Sequence, residues 1–327
     1  MYWKVSSPSR LHFGLIDLTG DHGRIDGGSG AALAHPRVVV RVGRGQGRIE
    51  APPALERLVR ALADKLAIDI NDYDVEIPEY FPAHVGLGSH TQQALAIGTA
   101  LTKAAGRELS PKDIAKAAKR GGTSGIGVNI FSRGGLVIDG GHAFGPGQEK
   151  EECLPSSASR AGVPPLLARY DLPEEWRFAL VTPETVPGAH GKKEIELFGE
   201  AFPLEPSDAG EVCRWVLTGL MPGAAAGDLD LLGRSLSALQ TVGFKRREVE
   251  LQPEPIIELG KVMVDAGAAG AGLTSFGPTV YALAGSATLA QRALDAAIAH
   301  LGKHDIDAEG WITAPDNQGV IITREND

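Results

Sequence analysis

A glycine-rich turn in front of a helical segment is the first feature of this 327-residue chain whose residue types suggest chemistry. Residues 86–89 read GLGS and directly precede a segment with helical spacing. Such a turn leaves the first N–H groups of the helix unpaired at the positive end of its dipole, where they bind phosphate and other anions. An ordinary turn before a helix has the same pattern, so both interpretations stay open here. The candidate phosphate-binding residues are Gly86, Leu87, Gly88, Ser89, His90 and Thr91.

A second candidate site is the polar segment that follows the first apolar stretch. Its charged residues are Asp17, Asp21, Arg24 and Asp26, and glycines follow at 27, 28 and 30. We expect a loop here, and loops of this composition are costly to order, so they tend to persist where function requires them. A solvated polar hairpin is the alternative. Carboxylates mixed with one arginine and bracketed by glycines favour a site.

Ser275 lies in a third glycine-rich segment, residues 267–285, and is a candidate ligand contact. Tight packing of this segment explains its glycines equally well. Three histidines have uncertain roles. We expect His12 to be a buried, satisfied residue of a strand, and His142 to lie in a loop beside glycines. His190 lies in a basic loop that is either solvated or a substrate lid, and Glu194 is expected to face solvent.

Helices and strands alternate along the whole chain and must position these segments. In the first half, the helical face of Leu55, Val59 and Leu62 predicts one helix, and the glycine turn begins another that Gly106 ends. Ser110 to Asp113 forms a capping box for a third helix. Residues 1–10 are compatible with a strand that ends in a turn at residues 8–10, and further strands are predicted at 11–16, 36–42, 73–77 and 137–139.

In the second half, residues 140–175 are rich in glycine, proline, serine and charge, which is typical of a domain boundary or a long loop. Helices are predicted near 208–220, 228–241, 254–265 and 287–301, and strands at 176–182, 279–283 and 319–323. The segment between 183 and 198 is expected to be a polar loop. Interleaved helices and strands without a uniform repeat predict an α+β protein of two packed layers.

Composition excludes several classes of function. The hydrophobic content of 43% and charged content of 22% are those of a globular protein without a membrane-spanning run. A net charge of −9 argues against general nucleic-acid binding, so an anionic substrate needs a local cationic cluster. Cys153 and Cys213 lack metal-type spacing; we expect both to be buried or half-buried, without a disulfide, in a protein of the reducing cytoplasm.

The three glycine-rich segments, SPSRLHFGLID, PAHVGLGSHTQQAL and GLTSFGPTVYAL, together resemble those of the GHMP small-molecule kinase superfamily. The resemblance covers essentially the whole chain. It implies an amino-terminal domain, residues 1–165, with a left-handed βαβ crossover, and a ferredoxin-like carboxy-terminal domain, residues 166–327. The phosphate site would lie between them, on the GLGS loop.

The segments GRIDGGSG, GLGSHTQ, SGIG, DGGH and SFGPTVYA look more specifically like those of β-ribofuranosylaminobenzene 5′-phosphate synthases. This resemblance implies a phosphoribosyltransferase of methanopterin biosynthesis. Its reaction would join phosphoribosyl pyrophosphate to 4-hydroxybenzoate or 4-aminobenzoate, with release of carbon dioxide and pyrophosphate. Mg²⁺ held by the pyrophosphate, a homodimer, and no nucleic-acid or membrane partner are also implied.

One departure from the kinase pattern supports this branch. Many of these kinases carry a Ser-Gly-x-Asp element whose carboxylate orients and deprotonates the alcohol, whereas this chain has Ser124, Gly125, Ile126 and Gly127. Phosphoryl transfer is therefore disfavoured. An ATP-dependent kinase and a non-catalytic ligand-binding relative remain the alternatives.

The reaction implied by the resemblance needs donors for phosphate oxygens and carboxylates near a developing cation. On this hypothesis the GLGS loop and Ser275 bind phosphate, while Asp17 and Asp26 bind metal or stabilise the cation. Arg24 would bind pyrophosphate or the aryl carboxylate through two parallel hydrogen bonds. Asp17, Arg24 and Asp26 are thus the predicted catalytic residues.

Overall fold

A computed structural model describes residues 1–156, 158–185 and 192–325 of the chain. Its strands form two sheets. They are β1 Tyr2–Asp17, β2 Arg24–Arg44, β3 Ile49–Glu50, β4 Tyr73–Glu79, β5 Leu136–Asp139, β6 His142–Ala143, β7 Leu166–Tyr170, β8 Arg177–Pro183, β9 Gly270–Leu273, β10 Val280–Ala284, β11 Ala308–Thr313 and β12 Ile321–Glu325.

The helices cover the sheets and fill the long connection between β8 and β9. They are α1 Pro53–Lys65, α2 Ser89–Ala104, α3 Pro111–Ala117, α4 Ile126–Arg133, α5 Lys192–Ala201, α6 Pro206–Trp215, α7 Met221–Ala226, α8 Leu229–Ala238, α9 Gly243–Glu250, α10 Glu254–Ile257, α11 Leu259–Asp265 and α12 Ala287–Gly302.

The first sheet is organised around the long antiparallel hairpin of β1 and β2, in the order β12-β1-β2-β4-β3. Because β2 is 21 residues long, its first part pairs with β5 and its last part with β4. Strands β3 and β4 run parallel on either side of α1, which gives the expected βαβ crossover. Two strands from beyond residue 165, β7 and β12, also join this sheet.

The second sheet has the order β11-β8-β10-β9, and all of its neighbours are antiparallel. Helices lie between β8 and β9 and between β10 and β11, so the chain order is βαββαβ with strand order 4-1-3-2. This is the ferredoxin-like arrangement, and it confirms the predicted α+β two-domain fold. The boundary at residue 165 stays a prediction.

Helix α2 is the element that carries the glycine turn into the core. Twelve of its 16 residues are buried, since it packs on β1 and β2 and against α1, α3 and α4. A Cβ at Gly98 would lie 2.4 Å from Ile114 Cγ2, so this glycine allows α3 to approach closely. The helix and the loop before it are therefore held rigidly, and the predicted stop at Gly106 is confirmed by its φ of 68°.

Several expectations about local structure are wrong. Residues 8–10 continue strand β1 and do not form a turn, and His142 lies in strand β6 and not in a loop. Residues 24–33 are strand and not loop, because the glycines permit close pairing: a Cβ at Gly30 would lie 2.3 Å from the Leu11 carbonyl oxygen. Residues 192–198 belong to helix α5. Helix α9, which contributes to the cavity described below, has no counterpart among the predicted helices.

Candidate active site

A cavity of about 390 Å³ lies where the glycine loop, β1, α9 and the loop after β9 meet. The part of its lining at the glycine loop is polar and is called the polar end below, and another part is aromatic. Its lining comprises Arg10, His12, Leu15, His84, Gly86, Gly88, Ser89, His90, Thr91, Arg120, Gly121, Thr123, Ser124, Gly127, Pro155, Ser156, Glu194, Phe198, Phe244, Glu248, Ser275 and Phe276.

Residues 86–89, called the phosphate loop below, form a turn that requires glycine at two of its positions. Gly86 and Gly88 have φ of 87° and 77°, in the left-handed region that disfavours side chains. A Cβ at Gly86 would lie 2.3 Å from the Thr274 carbonyl oxygen, and one at Gly88 would lie 2.9 Å from Arg10 Cγ. The turn therefore packs against both the loop after β9 and the Arg10 side chain.

The structure brings nearly all of the predicted phosphate-binding residues to the cavity. Those that line it are Gly86, Gly88, Ser89, His90, Thr91 and Ser275. Leu87 instead packs into the core, and its carbonyl oxygen accepts the Arg10 backbone N–H at 3.1 Å. Because Ser89, His90 and Thr91 form the first turn of α2 and line the cavity, the amino-terminal end of this helix lies at the polar end.

Thr274 joins three segments beneath this end. Its hydroxyl donates to the Gly86 carbonyl oxygen at 2.8 Å and accepts the His12 N–H at 3.0 Å. The neighbouring Ser275 N–H donates to the His12 carbonyl oxygen. Thr274 is fully buried, so it holds the phosphate loop in register with β1, whereas Ser275 faces the cavity.

Two arginines, Arg10 and Arg120, give the polar end its charge. Arg10 donates to the Gly86 carbonyl oxygen, and Arg120 Nε donates to Thr91 Oγ1 at 3.1 Å. Within residues 1–156, 158–185 and 192–325, neither guanidinium forms an ion pair. Burial, reinforced by the charge of Arg120, lowers the pKa of Arg10 to about 10. Two like charges held together in this way indicate a site for an anion.

The three predicted catalytic residues do not line the cavity. Asp17 accepts the Thr19 N–H and hydroxyl, both at 2.7 Å, and so caps its own turn. Arg24 is exposed and donates to the Gly140 and Gly141 carbonyl oxygens at 2.6 and 2.8 Å. Asp26 is buried elsewhere. Catalytic roles for these residues stay predictions, and the geometry shows them bonded to protein groups.

Asp26 belongs to a buried charged group, the paired cluster of Asp26, His142 and Lys150. His142 Nδ1 lies 2.7 Å from Asp26 Oδ2, and Lys150 Nζ lies 2.8 Å from the same oxygen. His142 Nε2 also contacts the Gly162 carbonyl oxygen at 2.9 Å. Burial alone would lower the pKa of His142, but its bond to Asp26 raises it. Each charge therefore has an opposite partner.

Asp139 connects this region to the cavity. It is fully buried, and it accepts the Gly125 N–H at 2.9 Å and the Gly141 N–H at 3.1 Å. The hydroxyl of Ser124, which lines the cavity, lies 3.4 Å from its Oδ2. Burial raises the pKa of Asp139 to about 7, against the effect of these two N–H bonds.

Another part of the cavity lining is an aromatic wall formed by Phe198, Phe244 and Phe276. Their ring centroids lie 4.9 to 6.3 Å apart, in tilted and edge-to-face contacts. Phe198 comes from α5 and Phe244 from α9, so sequence reasoning missed this wall together with both helices. The spacing of Phe244 and Glu248, four residues apart, is the signal that could have revealed the inner face of α9.

Sequence reasoning also misjudged several polar residues of the lining. His12 is buried as expected but not satisfied, because its Nδ1 has no hydrogen-bond partner among the residues that the structure describes. Glu194 lines the cavity and does not simply face solvent. Arg10, Arg120 and Glu248 were not singled out at all. His190 lies outside the described residues.

Gly127 occupies the position where the kinase pattern has its carboxylate, and it does line the cavity. A Cβ there would lie 2.9 Å from Thr91 Cγ2. The space for a side chain is thus already taken by α2. A kinase-type acid at this position would require the Thr91 side chain to move.

Other expectations concern cysteines, metals and membranes. Both cysteines are free, and Cys153 is buried as expected, whereas Cys213 is exposed and the expectation of its burial is wrong. Among the described residues, the one His/Cys/Asp/Glu group with metal-like spacing is Glu258, His300 and His304, none of which lines the cavity. No helix within the described part of the chain is long and apolar enough to span a bilayer.

Sequence comparisons place the chain among known proteins. The family described as GHMP kinases N-terminal domain matches residues 54–135, and GHMP kinases C-terminal matches residues 220–303. Curated relatives named β-ribofuranosylphenol 5′-phosphate synthase are similar over most of their length. The one from Methanothermobacter thermautotrophicus is 38% identical, covering 85% of this chain and 88% of the relative. The one from Methanocaldococcus jannaschii is 37% identical, covering 97% and 99%.

Solved structures support the fold. Homoserine kinase from Cytophaga hutchinsonii superposes with a TM-score of 0.67 at 19% identity, covering 98% of this chain and 97% of that one. The L. major mevalonate kinase in complex with R-mevalonate gives a TM-score of 0.65 at 14% identity, covering 95% and 96%. At such identities the likeness extends to the fold alone.

Proposed function

The chain belongs to the GHMP kinase superfamily and, within it, to the family of the β-ribofuranosylphenol 5′-phosphate synthases. From this premise we propose that it is a decarboxylating phosphoribosyltransferase of methanopterin biosynthesis. It joins phosphoribosyl pyrophosphate to 4-hydroxybenzoate or 4-aminobenzoate and releases carbon dioxide and pyrophosphate. Of the two acceptors, 4-hydroxybenzoate would give a ribofuranosyl phenol, the type of product in the name of the relatives.

The observation that carries the proposal is the arginine pair at the phosphate loop. Arg10 and Arg120 converge on the loop without an ion-pair partner in the described part of the chain. Like charges at short range destabilise a protein unless an anion neutralises them. A donor with a 5-phosphate and a pyrophosphate supplies such anions, and guanidinium groups bind phosphate oxygens through paired hydrogen bonds.

The aromatic wall suits the acceptor ring. Phe198, Phe244 and Phe276 offer apolar faces and edges at distances typical of aromatic contacts. A benzoate bound there would place its ring next to a sugar whose phosphates lie at the arginines. The cavity lining thus has one part for each substrate.

The reaction exchanges one bond at ribose C1 for another. The bond from C1 to the pyrophosphate oxygen breaks, and its electron pair leaves with pyrophosphate. The ring carbon that bears the carboxylate then bonds to C1, helped by electron donation from the para hydroxyl or amino group. Loss of carbon dioxide returns its electron pair to the ring. Arg10 and Arg120 stabilise the charge that grows on the leaving pyrophosphate.

The residues of the cavity do not fit a protein-held Mg²⁺. Asp17 and Asp26 bond to protein groups and do not line the cavity; the carboxylates in the described lining are Glu194 and Glu248, and Glu248 is paired with Lys245 through one of its oxygens. Hard cations need several free oxygen ligands, so any Mg²⁺ would arrive with the pyrophosphate. No step of the mechanism above depends on it.

Kinase activity is the alternative from a neighbouring class of reaction, and binding without turnover is the alternative from outside catalysis. Gly127 stands where the alcohol-activating carboxylate of the kinase pattern is expected, and its absence speaks against a kinase. A non-catalytic relative would bind phosphoribosyl pyrophosphate and leave it intact.

One assay separates the three. The protein is incubated with phosphoribosyl pyrophosphate, Mg²⁺ and each carboxyl-labelled benzoate, and labelled carbon dioxide and pyrophosphate are followed. We expect the two to appear in equal amounts with at least one acceptor. No release with either acceptor overturns the proposal, and formation of ADP from ATP with a small alcohol supports the kinase instead.

Assembly and location belong to the same proposal. We carry forward a homodimer in the cytoplasm with small-molecule substrates, because the resemblance to the family implies it. Sedimentation equilibrium at micromolar concentration checks the dimer, and a species of 34.3 kDa at all concentrations would contradict it.

A further inference from the structure

Helix α9 fixes a carboxylate in the lining of the cavity. Lys245 on this helix is 2% exposed and donates to the carbonyl oxygens of Leu273 and Ser275 at 3.3 and 3.2 Å. Its Nζ also forms an ion pair with Glu248 Oε2. Lys245 therefore ties Glu248 to the loop after β9, and the carboxylate cannot turn away without leaving a buried ammonium group unpaired.

Glu248 keeps an acceptor for a ligand. Its side chain lines the cavity, its buried Oε2 has the Lys245 ion pair but no hydrogen bond of regular geometry, and no described residue donates a hydrogen bond to its Oε1. Residues 244 and 248 lie one helical turn apart, so Glu248 adjoins the aromatic wall. The charge of Glu248 reaches Arg10, yet the two form no ion pair in the described chain.

His12 is a second such group. It follows Arg10 by two positions on β1 and so faces the same side of the strand. Burial, with the charges of Arg10 and Lys245, lowers its pKa well below the usual range, which keeps the imidazole neutral. Within the described residues its side chain has no hydrogen-bond partner, and it lines the cavity.

These two groups call for a different ligand from the arginine pair. A carboxylate repels phosphate, whereas it accepts hydrogen bonds from hydroxyl groups strongly. A neutral imidazole accepts one hydrogen bond and donates another. Carboxylates bind ribose hydroxyls in this way in dinucleotide sites. A sugar ring between phosphates and an acceptor arene brings its hydroxyls to this part of the cavity.

We propose that Glu248, anchored by Lys245, and His12 form a hydroxyl-binding subsite for the 2- and 3-hydroxyl groups of the ribose. The inference rests on the proposed function, since it assigns the sugar of that donor. It makes Glu248 and His12 the residues that select ribose over 2-deoxyribose.

Binding of simple sugar phosphates tests the subsite without requiring turnover. Titration calorimetry compares ribose 5-phosphate, 2-deoxyribose 5-phosphate and inorganic phosphate. We expect the wild type to bind ribose 5-phosphate about tenfold more tightly than the deoxy sugar, the usual effect of one hydrogen bond to a charged group. In Glu248→Gln the preference falls to about twofold or less, because Lys245 takes the amide oxygen and leaves the NH₂ facing the hydroxyls.

Two further variants serve as controls for this result. Glu250→Gln, at an exposed position of the same helix, should keep the preference. Should Glu248→Gln unfold, the double variant Lys245→Met/Glu248→Leu removes the buried pair together and must also lose the preference while it binds inorganic phosphate. Equal binding of the two sugars by the wild type, or a preference that survives in these variants, overturns the subsite.

Failure of the subsite can be distinguished from failure of the proposed function. If no carbon dioxide is released from either benzoate but ribose 5-phosphate is still preferred through Glu248, the transferase proposal fails and the subsite stands. If transfer occurs while the two sugars bind equally, the subsite fails and the transferase stands.

Discussion

Two groups of charged residues in this protein differ in how their charges are paired. In the paired cluster, Asp26 is in contact with both His142 and Lys150, so its buried charge is compensated. In the arginine pair, the charge of Arg120 acts on Arg10, and neither guanidinium has an ion-pair partner in the described chain, although the carboxylates of Glu248 and Glu194 act on them at longer range. Compensated charges stabilise a fold locally, whereas uncompensated like charges cost free energy until a ligand binds. The comparison separates structural charge from functional charge.

The largest effect should come from breaking the paired cluster. Lys150→Met removes one of the two partners of Asp26, and we expect the free energy of unfolding to fall by about 3–5 kcal/mol, as for other broken buried pairs. Activity per folded molecule should persist, because the cluster does not line the cavity. Urea unfolding at pH 7 measures the change, with exposed Lys116→Met as control. A loss below about 1 kcal/mol contradicts a structural role for the cluster.

Substitution in the arginine pair should lower activity without lowering stability, the reverse of the effect in the paired cluster. Arg120→Gln should lower kcat/KM by about 100-fold, roughly 2.7 kcal/mol, because an anion loses a charged partner. The free energy of unfolding of the unliganded protein should stay the same or rise, because the substitution removes the like charge that acts on Arg10. Arg24→Gln is the matched variant, since Arg24 is an exposed arginine bonded only to carbonyl oxygens of its own chain. If Arg24→Gln abolishes activity and Arg120→Gln does not, the catalytic prediction for Arg24 holds and the comparison is reversed.

Much of the fold could be predicted, because its elements have strong local signals. Helix α1 has an apolar face, α3 has a capping box, and α2 ends at a left-handed glycine, as expected. The first part of β2 could not be predicted, since its glycines look like a loop until the neighbouring strand is known. Helix α9 was missed because its sequence, GFKRREVE, is mostly charged and its buried face depends on tertiary contacts.

The parts of the site that depend on backbone conformation could be predicted from the sequence. The parts that depend on which charged side chains pair with each other could not. The phosphate loop can be predicted from the sequence because glycines at 86 and 88 indicate the positive φ angles that the structure has there. Asp26 and Arg10 are equally polar in sequence, and neither shows its partner. Asp26 meets a lysine 124 positions away, whereas Arg10 meets a second arginine. Long-range pairing of this kind decides which charges are available to a ligand.

Adding a carboxylate at the cavity wall would make the arginine pair resemble the paired cluster. Gly127→Asp introduces that charge and a Cβ that would lie 2.9 Å from Thr91 Cγ2. We expect a loss of stability of about 1–3 kcal/mol from overpacking and weaker binding of inorganic phosphate. Gly127→Ala carries the steric cost without the charge and serves as control. Formation of ADP by Gly127→Asp would instead support the kinase alternative.

Asp139 gives the finest test, because it is a buried carboxyl bonded to N–H and hydroxyl groups and not to a cation. Burial raises its pKa from the ordinary 3.8 to about 7. Between these values the native state holds a proton that the unfolded state has released. The contribution of Asp139 to stability is therefore complete below pH 4 and is lost as the pH rises to 7, with a slope of at most about 1.4 kcal/mol per pH unit.

Asp139→Asn cannot ionise, so the wild type should lose stability relative to this variant as the pH rises from 5 to 7. Urea unfolding of both proteins at pH 5, 6, 7 and 8 gives the difference in free energy, and Asp64→Asn, at an exposed position, should show no such trend. A difference that does not change with pH would mean that Asp139 is ionised in the native protein. The charge of His142 in the paired cluster would then compensate Asp139 as well as Asp26. Asp139 would have to be counted with the compensated charges of that cluster.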